Sequence, residues 1–379
     1  MREESVPRFS DPELARRRAA LEEVMAAHQV EAAVLYGANR AGSAVQWLSE
    51  WPVTREAALV VTPGERDAMF VQFYNHLPAA RRFAARAEVS WGGPDTIASV
   101  AEELKRRGAR RIGVAGPLAW RPHSRLADEF DVVGLDREYT RLRLVKSAEE
   151  IEWLQRGAEL SDAAIEAVRD GVEAGQAEPE LGAMCEAAYL ATGATNHIHY
   201  FAVTSMADPD RCVPSQWPSN RTVRTGDAIT CEISASWWGY AGQVLRTMTV
   251  GAEPTPLYRD LHDAADAAFD AICAVLRHGT RPAEVVEAAR TIEAAGFTIY
   301  DDLVHGYGGG YLPPILGSAS RMNEPLPDMV FETGMTVVVQ PNVITVDERA
   351  GVQTGGLVAI TETGVEHMQK APRGMWQVG

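Results

Sequence analysis

The chain has 379 residues, of which 46% are hydrophobic and 23% charged. That balance excludes a disordered or fibrous chain, and at roughly 150 residues per domain the length suggests two domains. Lys and Arg total 36 against 52 Asp and Glu, a formal net charge of −16. So acidic a surface argues against nucleic acid and against anionic membranes as partners.

The four cysteines, Cys185, Cys212, Cys231 and Cys273, form no C-x-x-C pair, and free thiols suit a reducing, cytoplasmic setting. The first residues, MREESVPRFSDPELARRR, lack the apolar region of a secretory signal. No run of apolar residues is long enough for a transmembrane helix.

Ser10-Asp11-Pro12-Glu13 opens a predicted helix that runs to about His28. Ser10 is a capping residue, and Pro12 suits the first turn. Strands are predicted over 31–36 and 57–62, a helix over 95–107 and a strand over 111–115, with Gly108 as the stop between the last two. Strands alternating with helices indicate a small α/β layer through residue 143. Ser147-Ala148-Glu149-Glu150 is a second capping box. It precedes a long amphipathic helix with Ile151, Leu154, Ala158, Ala164, Ile165 and Val168 on its apolar side. A helix over 177–192, strands over 228–236 and 240–251, helices over 256–277 and 282–295, and strands over 335–340 and 357–361 complete the reading. There is no evident internal repeat or low-complexity tract.

Four segments of the second half recur in a recognisable order. They are Leu144 to Ile151, Gly226-Asp227 through Glu232 to Arg246-Thr247, His305-Gly306-Tyr307-Gly308, and Glu332-Thr333-Gly334-Met335 through Gln340-Pro341 to Gly364. Together they resemble the pita-bread family of creatinase, aminopeptidase P and prolidase. The resemblance implies α/β and α+β architecture: a small creatinase/prolidase-like N-terminal α/β domain over 1–143, then a pita-bread domain over 144–379. It also implies a homodimer acting on a small-molecule substrate, with Asn39, Arg40 and Trp47 of one subunit as candidates to roof the site of the other.

The family's peptidases hold two divalent metals with two Asp, one His and two Glu. Here the matching positions are Glu232, Gln243, His305, Gln340 and Gly355, so only Glu232 and His305 keep metal-ligand character. A neutral amide does not offset a dication. No metal and no other cofactor is therefore expected. The family's two further histidines fall on Ser215 and Leu312. Creatinase is the family's metal-free precedent, but its base falls on Ser215 and its substrate-gripping carboxylates on Leu245 and Gln340, so creatine itself is not implied.

His305 lies in a glycine-rich segment where backbone approaches a ligand closely, and its imidazole is a candidate general base; the bland alternative is a relic satisfied locally. Glu232, predicted on a central strand among apolar neighbours, is a candidate to move a proton or hold a cation, or else is a buried ion pair with Arg246. Gln243 and Gln340 are candidates to orient a polar ligand, or neutralised relics. His197 and His199 alternate along a strand and so share one face as candidate substrate contacts, unless that face is merely polar and exposed. Tyr307, Trp238, Ser215 and Arg246 complete the candidate substrate-binding set. Trp217, Trp237 and Trp238 are aromatic walls or core. Asp301 and Asp302 either orient His305 or make a solvated turn.

These residues imply a metal-independent enzyme cleaving a C–N bond in a small amino-acid-derived or amidine-like substrate by acid/base catalysis. Two alternatives stand beside it: a non-catalytic pita-bread binding protein, as the fold's histone chaperones show, and an Xaa-Pro-type metallopeptidase with an altered site in which Glu232, His305 and one of His197 or His199 hold one ion.

Overall fold

In the computed structural model, residues 6–39, 44–321 and 325–379 are described. The chain forms two units, 1–143 and 144–379. Arg40, a candidate from the sequence, lies outside the described residues.

In the first unit, α1 (Asp11–Ala27) starts where Ser10 caps it, the Ser10 side chain accepting the Glu13 N–H at 3.2 Å. Strands β1 (Ala32–Ala38), β2 (Glu56–Val61), β3 (Ala68–Val71), β4 (Glu88–Trp91), β5 (Arg111–Ala115) and β6 (Asp131–Gly134) form one sheet in the order β4-β3-β2-β1-β5-β6. Ala33, Leu35, Ala57 and Leu59 face one core while Ala32, Val34, Ala58 and Val60 face another, so the central strands are apolar on both sides. Helices α2 (Ala44–Ser49), α3 (Leu77–Phe83), α4 (Thr96–Arg106), α5 (Trp120–Glu129) and α6 (Asp136–Arg141) complete the unit. Trp47 is a correction: rather than presenting a surface, its ring is buried edge-on to Tyr139 at 5.5 Å. Asn39 is exposed, with its side-chain Oδ1 accepting from the Arg55 guanidinium at 2.7 Å.

The second unit begins with α7 (Ala148–Gly171), opened by the Ser147 capping box, and α8 (Glu178–Tyr189). Then come β7 (Thr195–Ser205), β8 (Asp227–Trp237), β9 (Tyr240–Val250), α9 (Pro256–Val275), α10 (Pro282–Ala288) and α11 (Thr291–Ala294). The helix predicted over 282–295 is thus two helices. No breaker residue marks the interruption, and Val285 of the first piece, Ile292 of the second and Ala289 between them bury in one core. Short strands follow: β10 (Thr298–Ile299), β11 (Val304–Tyr307), β12 (Tyr311–Leu316), β13 (Thr336–Val339), β14 (Val343–Ile344), β15 (Gly355–Ile360), β16 (Val365–His367) and β17 (Trp376–Val378). The main sheet runs β12-β11-β13-β15-β9-β8-β7, with β16 on β15 and β17 on β9.

The β8–β9 hairpin turns on Trp238 and Gly239, at φ 50° and 88°, a left-handed pair that suits the twist of a tight hairpin. Helix α7 lies almost on its backbone. A Cβ added at Gly242 would come within 2.2 Å of Ala158 Cα, and one at Gly157 within 2.7 Å of the Tyr240 carbonyl. Ser161 fastens the contact, accepting from the Ala235 N–H at 2.9 Å and donating to the Gly242 carbonyl at 2.6 Å. Cys231, Ile233, Val244 and Met248 fill the core on this helix side. By strand alternation, Glu232, Ser234, Gln243 and Leu245 point the other way. All four cysteines are free thiols, and no helix among the described residues is long and apolar enough to cross a membrane.

Candidate active site

A cavity of about 940 Å³ opens on that other face, and Glu232 lies in its wall with Ser215, Tyr200, Asp301 and Tyr311. Register brings the first pieces together: Glu232 pairs with Tyr200 on one side and Leu245 on the other. Ser215 reaches the wall because its N–H bonds the Phe201 carbonyl at 2.9 Å.

Glu232 is buried, with one carboxyl oxygen accepting from Gln243 Nε2. The same amide donates to Gln340 Oε1 at 3.1 Å. Burial pushes the Glu232 carboxyl up to about 7; the negative charge of Asp301 adds to this, and a hydrogen bond from Tyr311 opposes it. Asp302 is likewise raised, by burial and by Asp301 beside it.

His305, on β11, is fully buried, and its Nδ1 lies 3.2 Å from the Gly306 carbonyl. The Tyr311 ring stands over it at 4.5 Å, with Tyr307 edge-on at 5.4 Å. Burial pulls its imidazole down to about 4, with the Gly306 carbonyl and the Gln340 side chain opposing. It is therefore neutral near pH 7 and does not line the cavity; Tyr311 does.

Several expectations need correction. Arg246 makes no ion pair with Glu232. It sits one residue out of phase, paired with Cys231 on the helix side, and its guanidinium donates to the carbonyls of Leu245, Gly355 and Ala371 at 2.7–2.8 Å and of Pro372 at 3.0 Å. His197 and His199 do not share a face. A β-bulge between Asn196 and Ile198 adds a residue and breaks the alternation. His197 meets the Tyr307 ring at 6.1 Å, whereas His199 bonds the Tyr189 hydroxyl at 3.0 Å. Tyr307 is buried, donating to Ser234 Oγ at 3.2 Å. Trp238 stays on its hairpin turn and Trp237 is half-buried, while Trp217 is exposed. Gln243 and Gln340 turn to Glu232 and to each other rather than into the cavity.

Sequence reasoning missed Tyr200, Tyr300, Tyr311, Asn342 and Gln353, all in the cavity wall. No signal in the residues alone marks them; only the observed strand register places Tyr200 opposite Glu232.

The residues do not fit a pair of divalent metals. Gln243 presents an N–H donor to the only carboxylate of the matching set, where a cation needs an oxygen. Gly355 has no room for a side chain: a Cβ there would lie 2.4 Å from the Val339 carbonyl and 3.1 Å from Leu245 Cδ1. Among the described residues no three His, Cys, Asp or Glu side chains come together as a metal-binding group.

The model of metallopeptidase family M24 matches residues 152–362. The uncharacterized peptidase YqhT of Bacillus subtilis is 24% identical over 328 residues, 84% of this chain and 90% of that protein. The Xaa-Pro dipeptidase of Pyrococcus furiosus is 24% identical over 266 residues, 69% of this chain and 74% of that one. Among solved structures, the Xaa-Pro dipeptidase from Bacillus anthracis superposes with a TM-score of 0.82 at 21% identity, covering 96% of this chain and 100% of that one.

Proposed function

Since the chain belongs to metallopeptidase family M24 and has its pita-bread fold, the resemblance read from four sequence segments being borne out, we propose that it is a hydrolase of this family that works without the metal pair. Its substrate is a small amino-acid-derived or amidine-like molecule, and Glu232 is the acid/base residue. The observation that carries this reading is a carboxyl group in a cavity wall, held near neutrality by burial, with its orientation set by Gln243 and Tyr311. A group that titrates near the working pH is suited both to take and to return a proton.

As carboxylate, Glu232 takes a proton from water while the water oxygen bonds to the electrophilic carbon. The C–N bond then breaks with its electron pair on nitrogen, and the proton on Glu232 passes to that nitrogen. His305 is a positioning residue: neutral and buried, it packs against and supports the Tyr311 ring. Neither step uses a metal.

The test is amine or ammonia release from a panel of amino-acid amides, amidines and Xaa-Pro dipeptides, using protein stripped with a chelator. Glu232→Gln is expected to lower kcat by about 10²–10⁴-fold on the responding substrate. His305→Ala is expected to keep the pH inflection near 7 while losing rate. Activity that disappears on chelation and returns with manganese or cobalt would overturn the reading.

A further inference from the structure

The acidic charge of the chain is confined to one unit. Residues 1–143 carry 21 Lys and Arg against 20 Asp and Glu, whereas residues 144–379 carry 15 against 32. Within the second unit, the cavity wall is a place where that charge stays uncompensated. Arg211 is drawn back onto Glu178 and Ser219, at 3.2 Å each. Glu348 pairs with Arg321, and Asp210 faces Arg221 at 3.8 Å. Glu232 and Asp301 are left with no ion-pair partner among the described residues. Carboxylates set in a concave wall focus their field into it and favour a cation there.

Several acceptor positions on these two carboxyl groups are nonetheless taken. Glu232 accepts from Gln243 Nε2 and from the Tyr311 hydroxyl, and Asp301 Oδ1 accepts the Asp302 N–H at 2.9 Å. The wall therefore offers negative charge with few free places for an N–H to bond. Aromatic rings stand beside that charge. Tyr200 lies opposite Glu232 in the strand register, and Tyr311, 48% exposed, is backed by the His305 ring at 4.5 Å. Cation–ring contact already occurs in the same wall, where the Arg321 guanidinium lies 5.7 Å from the centre of the Tyr300 ring.

We propose that Tyr200, Tyr311, Glu232 and Asp301 form a subsite for a quaternary ammonium group, a methylated organic cation with no N–H to donate. Methyl groups on a positive centre pack against ring faces, and the carboxylates supply charge without forming new hydrogen bonds. A primary ammonium or amidinium group would bring several donors to a wall with few free acceptors, and an anion would meet two carboxylates. A cation beside Glu232 also favours its carboxylate form, the form the attacking step requires. The inference rests on reading this cavity as the substrate site, and it narrows the amino-acid-derived substrate to an N-methylated, permanently charged one.

The experiment is calorimetric titration of the whole, chelator-stripped protein with three ligands. Choline is the probe. 3,3-Dimethyl-1-butanol keeps its shape with carbon in place of the charged nitrogen, and ethanolamine keeps the charge without the methyl groups. Wild-type protein is expected to bind choline at least about tenfold more tightly than either. Tyr200→Leu is expected to weaken choline binding about tenfold, while Tyr200→Phe, which keeps the ring, stays within about twofold of wild type. Asp301→Asn is expected to bind choline about fivefold more weakly and, because Asp301 is exposed, to keep its urea midpoint. If Tyr200→Leu does not fold, the Tyr200→Phe and Asp301→Asn results carry the test. Absence of choline binding, equal affinity for the neutral alcohol, tighter binding of ethanolamine, or an Asp301→Asn protein with wild-type affinity would each overturn the proposal. Binding is read here without turnover, so a failure of Glu232 catalysis leaves this result standing, and the reverse also holds.

Discussion

Glu232→Gln should change stability in a way that depends on pH. Burial and Asp301 raise the folded-state carboxyl from 4.5 to about 7. That rise is worth about 3 kcal/mol at 1.36 kcal/mol per pH unit. A group whose folded pKa is raised favours folding while it is protonated in both states, below about pH 4.5. Between there and about pH 7 the unfolded chain has released its proton and the folded one has not, so stability falls as pH rises and then levels off. The amide introduced by the substitution would still accept the Gln243 amide hydrogen but would carry no charge to bury. Urea unfolding at stepped pH should therefore show the variant gaining on the wild type by up to about 3 kcal/mol between pH 4.5 and pH 8. A wild-type-minus-variant difference constant within about 0.5 kcal/mol over that range would refute the assignment of a buried, near-neutral carboxyl to Glu232.

On a responding substrate, kcat/KM should rise with pH through an inflection near 7, because the attacking step needs the Glu232 carboxylate; a profile flat from pH 5 to 9 would count against it. Arg246→Met removes the donor shared by the carbonyls of Leu245, Gly355 and Ala371, and should cost about 2–4 kcal/mol by urea midpoint. Gly355→Ala should cost about 1–3 kcal/mol, since its Cβ would meet the Val339 carbonyl at 2.4 Å, a backbone atom held between paired strands. A Gly355→Ala protein as stable as wild type would show that the position has room for a metal ligand after all.

The parts of the fold that local chemistry decides were legible in advance. The Ser10 and Ser147 caps, the alternating strands around Glu232 and the apolar side of α7 lie where their residues indicate. What escaped depends on pairing between distant segments. Strands β3, β4 and β6 are four residues each, too short to show a period, and exist through their neighbours. The bulge beside His197 has no signature in Asn196-His197-Ile198, yet it sends two histidines to different partners. Arg246 looked like a companion for Glu232 because the two meet in one hairpin, but one residue of phase puts it on the opposite face. The motif positions located Glu232 well. The cavity wall around it, from Tyr200 to Gln353, needed the sheet register before it could be read.

The most direct test of the central claim is metal content of the purified protein after dialysis against manganese, cobalt and zinc. With Gln243 donating to Glu232 and Gly355 closed to a side chain, the expected result is metal well below one equivalent and no change in activity after chelation. A tightly held pair of ions, carried through dialysis and required for turnover, would contradict the account.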